Sequence, residues 1–203
     1  MSFPAFFNAA PVVRMRDPLS QLLGATPDGV IEYRYIDAVR LAGHSCPTVA
    51  GAFLMGRAAL NALYPQQIPE RGNIEVNLGE AEDAGVTGVI AQVLTLLTGA
   101  AGDNGFKGLA GRHKRRDLLR FGCSDTPAGS ISLTRRDTGT RAIAHMNMSP
   151  IPVDPEQDTL LSSILRGQPS AQQEKQFGAL WQDRVRRLLE RADDPEVICV
   201  TTA

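Results

Sequence analysis

The longest apolar stretches of the chain predict two buried helices. In the segment LAGHSCPTVAGAFLMGRAALNALYP, Pro47 suits a first helical position, which makes Cys46 the N-cap. The helix then runs from about Thr48 to Leu63 and stops before Pro65. Ala52, Gly56 and Ala59 put small side chains along one side, while Phe53, Leu54, Leu60 and Leu63 supply bulk. Glu82–Thr98, mostly apolar in VTGVIAQVLTLLT, reads as the second buried helix. The amphipathic helix starts at the capping box Ser170…Gln173 and runs to about Ala192, with Phe177, Leu180, Trp181, Val185, Leu188 and Leu189 on its inner face.

Shorter segments alternate instead. Val30–Tyr35, Asn73–Leu78, Ile131–Arg135, Arg141–Met148 and Glu196–Thr201 read as strands. Asp137-Thr138-Gly139 between the third and fourth is a hairpin signal. Asp17 with Pro18 starts a short helix through Leu23, ended by Gly24, and Asp154 with Pro155 starts another, ended by Gly167. Asp37 suits the cap of a short helical turn, AVRLA, before Gly43, and the opening dozen residues look extended. Strands and helices are interspersed, but some strand pairs read as antiparallel. The predicted class is therefore α+β: a mixed or antiparallel sheet packed with a buried central helix and a C-terminal helical pair, in one domain over residues 1–203.

Composition narrows the function. Twenty-one Lys and Arg against 22 Asp and Glu leave a formal charge of -1, without the basic excess of a nucleic-acid binder. No run of about 18 apolar residues exists, so no membrane span is expected. Three scattered cysteines, with no C-x-x-C, make neither a disulfide framework nor a four-cysteine zinc site. A cytoplasmic location with reduced thiols is the expectation.

Two segments carry candidate chemistry. In His44-Ser45-Cys46-Pro47, residues i and i+2 of an extended chain point the same way, so an imidazole and a thiol can converge. A cysteine at a helix N-terminus favours the thiolate. The pair suits two ligands of a divalent metal of the zinc type, or a nucleophile and its base; a structural cap with a turn histidine is the plain alternative. The second segment, TGAAGDNGFKGLAGRHKRRDLLR, has glycines at 99, 102, 105, 108 and 111, followed by the basic run Arg112–Arg116. It matches no phosphate-loop motif, but the glycine-rich loop and the basic run together could hold a small anionic ligand, with Gly102, Asp103 and Lys107 lining the site. The alternative is a surface loop and a solvated helix start. His113 and Asp103 are the first candidates for a third metal ligand. Glu80, Glu82 and Asp83 are further carboxylates near the helix ends. His145 and Cys199 read as core residues of their strands, and Cys123 as a turn residue.

GHSCPTVAGAFLMGRAAL resembles the G-H-x-C-P-G-x-x-x-G signature of the FmdE-like family, named after a component of formylmethanofuran dehydrogenase. Thr98-Gly99 with the glycine-rich turn and the segment DTLLSSILRGQPSAQQEKQFGALWQDRVRRLLE are similar to further parts of that family, so the resemblance spans roughly residues 30–192. It implies an α+β core, a homodimer, and a metal near His44 and Cys46. Two features depart from the family pattern. GVIAQVLTLLTGAAG lacks the cysteine and aspartate common before Thr-Gly and has Ala100 where another cysteine follows. The C-terminal zinc finger of many members has no counterpart, so the core domain alone is expected. Three functions compete: a metal-binding protein at His44, Cys46 and His113; a thiol-dependent enzyme with Cys46 as nucleophile and His44 as base; and a non-catalytic dimeric module.

Overall fold

Helix α3, Pro47–Leu63, is apolar on nearly every side and is buried on nearly every side. The computed structural model describes residues 3–167 and 169–203; Met1 and Ser2, part of the opening segment read as extended, lie outside the described residues. Cys46 caps α3 as expected, its sulfur accepting the Val49 N–H at 3.4 Å, and Pro47 takes the first helical position. Phe53, Leu54, Met55, Ala59 and Leu60 are closed to solvent. Burying side chains of that size stabilises by about 1.5–3 kcal/mol each for the larger ones.

One side of α3 lies on a five-stranded sheet in the order β4-β3-β5-β6-β7. The strands are β3 (Ile74–Leu78), β4 (Leu119–Arg120), β5 (Ser130–Arg135), β6 (Arg141–Met146) and β7 (Ile198–Thr202). β3 and β4 are parallel and the other neighbours antiparallel, so the sheet is mixed and the class α+β. Ile74, Val76, Leu78, Ile131, Leu133, Ala142, Ala144 and Ile198 turn towards the core. A separate two-stranded ribbon pairs β1 (Val13–Arg16) with β2 (Val30–Tyr33). The other side of α3 meets α4, Thr87–Thr98, and α2, Tyr35–Ala42. The C-terminal pair is α5, Pro155–Arg166, and α6, Ala171–Glu190, whose Val185, Leu188 and Leu189 reach the core.

The small residues of α3 mark close approaches. A Cβ on Gly51 would fall 2.3 Å from Met146 Sδ, and one on Gly56 2.9 Å from Leu97 Cδ1 and 3.0 Å from Leu94 Cδ2. The sheet and α4 therefore both sit closer to α3 than a side chain at those positions permits.

Several local expectations change. The opening segment holds a 3-10 helix, Ala5–Ala9, because Phe7 docks edge-on against the buried Tyr35 ring. Tyr35 belongs to α2 rather than to the strand before it, and Asp37 is three residues into that helix, accepting the Arg34 N–H. α4 begins at Thr87; residues 82–86 form turns, with Gly85 at φ +53. The basic run does not start a helix: residues 100–118 fold as a loop whose strands bond to each other, Ala101 N–H to Arg115 O and Leu118 N–H to Ala101 O. His145 and Cys199 are exposed, not core residues. They are register partners on β6 and β7, one residue out of phase with the core-facing Ala144 and Ile198. In a sheet with one buried face, that single step of parity decides burial.

Replacing Gly56 with Leu is expected to cost about 1–3 kcal/mol through overpacking against Leu94 and Leu97. Urea denaturation checks this, and unchanged stability would contradict the close approach of α3 and α4.

Candidate functional site

A buried carboxylate holding two guanidiniums organises the region around the glycine-rich loop. Asp17 follows β1 and precedes Pro18, so its side chain caps α1 (Pro18–Leu22): Oδ1 accepts the Leu19 N–H at 2.9 Å and the Ser20 N–H at 3.2 Å. The same oxygen accepts Arg115 Nη2 at 2.6 Å, and Oδ2 accepts Arg71 Nη1 at 3.0 Å. Arg71 Nη2 also donates to the carbonyls of Thr95 and Leu96 at 3.4 and 3.3 Å, at the negative C-terminal end of α4. The Tyr33 ring lies 5.7 Å from the Arg71 guanidinium carbon.

Backbone bonds bring these residues together. Asp17 N–H donates to Gly29 O, Arg71 N–H to Arg16 O, and Gly72 N–H to Thr98 O. Two glycines leave room for the guanidiniums. Gly72, at φ +87, would place a Cβ 1.8 Å from Arg115 Nη1; Gly99, at φ +73, would place one 3.1 Å from Arg71 Cζ. Both positions need the left-handed backbone as well as the missing side chain.

The electrostatics follow. Asp17 is 4% exposed and Arg115 6%. Burial alone would push the Asp17 carboxyl up, but the Arg115 charge and the Arg71 hydrogen bond outweigh it and hold it below the usual carboxylate range. Burial pulls Arg115 down while Asp17 opposes that; a guanidinium stays charged regardless. The buried Tyr33 phenol is raised. Two cations share one anion, and both have a spare donor: Arg71 Nε and Arg115 Nη1 are buried with no hydrogen-bond partner among the described residues.

Arg71 also lines a cavity of about 730 Å³ between the end of α2, one face of α4 and the glycine-rich loop. Leu41, Ala91, Leu96, Leu119 and Phe121 form its apolar wall. Gln92, Thr95, Asn104, Arg120, Glu82 and Asp103 bring polar groups.

The residues singled out in the sequence separate in space. Gly102 and Asp103 line this cavity, whereas Lys107 does not and is exposed. His113 lines a smaller cavity that also borders Arg71. His44 and Cys46 line neither. Gly43 and His44 form a bend after α2 rather than extended chain, so the i, i+2 rule does not govern them. The His44 ring is exposed, with Nδ1 3.0 Å from Ala42 O, while Cys46 is buried at its cap. It is the residue between them that is tied down: Ser45 Oγ bonds the Tyr35 hydroxyl at 2.8 Å and donates to Gln182 Oε1 at 3.0 Å, and Ser45 O accepts from Trp181 Nε1 and Gln182 Nε2. Among the described residues, no group of three or more His, Cys, Asp or Glu side chains is placed to hold a metal ion. Among the described residues, no helix is long and apolar enough to cross a membrane. In the sequence Arg71 does not stand out, Asp17 stands out only as a cap, and Arg115 only as one member of the basic run beside the glycine-rich loop.

No protein-family model matches the chain, and no curated protein matches it. Among solved structures, it is similar to a tungsten formylmethanofuran dehydrogenase FmdE-like protein from Syntrophus aciditrophicus, at 15% identity and a TM-score of 0.44, over 84% of this chain and 72% of that one. Neither site residues nor chemistry can be taken from a likeness at that level.

Asp17→Asn keeps an N-capping side chain but removes the shared charge. The variant is expected to lose about 3–5 kcal/mol near neutral pH, as for one partner taken from a buried ion pair. Because the native carboxyl is lowered, its contribution is complete above the ordinary value of 3.8 and is lost as the pH falls through the lowered native value. The gap between wild type and variant should therefore narrow on acidification, read by denaturant melts from about pH 6 to about pH 3. A gap that stays constant over that range would refute the charged cluster.

Proposed function

We propose that this protein binds a small organic molecule carrying an anionic group in the cavity between α2, α4 and the glycine-rich loop. The observation that carries the reading is Arg71. Asp17 and the α4 carbonyls fix its guanidinium, it lines the cavity, and its buried Nε has no partner among the described residues. A fixed cation loses little freedom when an anion arrives, so its charge goes into binding. Gln92, Thr95 and Asn104 can orient the rest of the ligand, with Ala91, Leu96 and Phe121 covering an apolar part.

Ligand-observed NMR with a set of small carboxylates, each beside its neutral carboxamide, tests the reading. The carboxylates should bind better, and Gln92→Trp, which fills the cavity from an exposed position on α4, should abolish binding. Equal signals from acid and amide, or an unaffected Gln92→Trp variant, would overturn it.

A second reading keeps a divalent metal, zinc first, or a reactive thiol at Cys46 with His44. The Val49 N–H on the Cys46 sulfur favours it, because a helix N-terminus stabilises a thiolate, as does the resemblance of the Gly-His-x-Cys-Pro motif. Two ligands are fewer than the three or four of zinc sites, so further ligands would have to come from outside this pair. Elemental analysis of wild type beside a His44→Ala, Cys46→Ser variant separates the readings. Stoichiometric metal lost in the variant supports the metal site, and equal metal content in the two proteins argues against it.

A further inference from the structure

We infer that the smaller cavity bordering Arg71 is a second site, for a compact oxyanion of the phosphate type. This cavity, about 210 Å³, lies between the Pro18 end of α1, the segment before β3 and the loop after Gly111. Four of its residues are basic, Arg71, Lys114, Arg115 and Arg136; His113 and Asn73 add side chains that can donate. Glu70 is its only carboxylate among the described residues, and Glu70 is paired with Arg16.

The charge is not balanced by the protein. Arg71 and Arg115 share the single carboxylate of Asp17. Arg115 has a side chain only 8% exposed, yet its Nη1 has no partner among the described residues. That nitrogen lies against Gly72, another residue of the same wall, where even a methyl group would collide with it. A buried cation with an unused donor is costly unless an anion answers it. The remaining cations are held loosely by comparison. Lys114 pairs with Asp117 at 2.7 Å and Arg136 with Glu75 at 3.8 Å, all four side chains at least 30% exposed. Surface pairs of that kind are worth little, so both cations can turn to an incoming anion. The volume suits an ion the size of phosphate rather than a drug-sized ligand, and a phosphate presents several acceptors to converging donors.

Isothermal titration of the full chain with inorganic phosphate, sodium chloride being used to hold ionic strength constant, tests the site. Phenyl phosphate in a parallel arm shows whether a phosphoryl group on a larger molecule is also taken. The expected result is saturable binding of inorganic phosphate at a single site. It should weaken about tenfold or more in the Lys114→Gln, Arg136→Gln double variant, the scale of one lost charge-assisted hydrogen bond. Both changes are at exposed side chains, so folding should survive, and the melting curve verifies this. Gln92→Trp should leave phosphate binding intact, so failure of the larger cavity as a ligand site does not remove this one. No binding beyond the chloride control, or equal affinity in the double variant, would overturn the assignment.

Discussion

One carboxylate, that of Asp17, holds three separate parts of the chain in register. It caps the first helix, receives Arg71 from the segment before β3, and receives Arg115 from the far end of the glycine-rich loop. These residues are 54 and 98 positions from it in sequence. Closing connections of that length costs chain entropy, and a long loop gains stability only where it finds firm contacts on its return. Arg115 supplies such a contact. The loop's own backbone bonds, Arg115 N–H to Phe106 O and Asp117 N–H to Gly102 O, then shape the wall of the larger cavity.

The cluster is also an unusual choice for stability alone. Taking three charged groups out of water is expensive, and apolar residues of similar volume often stabilise as well or better. Here the carboxylate meets two backbone N–H groups and two guanidiniums, which explains why it stays ionised. The excess is cationic, and it borders two cavities that both have Arg71 in their walls. Positive charge fixed in position by the fold, with donors left over, is the physical basis of both proposed sites.

The apolar half of the molecule answers to a different constraint. α3 must pass between the sheet and α4, and the separation is set by Gly51 against Met146 and by Gly56 against Leu94 and Leu97. Its N-terminus is anchored by Ser45, which Tyr35, Trp181 and Gln182 hold from two other helices. This accounts for the firm placement of the His44-Ser45-Cys46 segment. Cys46 serves as a cap and His44 bonds the end of the preceding helix.

Local rules in the sequence determined the α+β class, the start of α3 at Cys46-Pro47, the hairpin turn at Gly139 and the capping box at Ser170. Each depends on residues a few positions apart: a fixed proline φ, a positive glycine φ, a side chain bonding a backbone N–H three residues on. Asp17 was legible as a cap by the same logic, and Gly102 and Asp103 as loop residues with room for a ligand beside them. Only the tertiary structure decided that the Asp17 cap is also the counter-ion of Arg71 and Arg115, since nothing local distinguishes those arginines from the exposed Arg112. It decided the parity that turns His145 and Cys199 outward, because register in a one-sided sheet is set by which face the neighbouring elements cover. It also decided that the His44 ring is exposed while Cys46 is buried at its cap, because Ser45 between them is gripped from α2 and α6, which no two-residue spacing records.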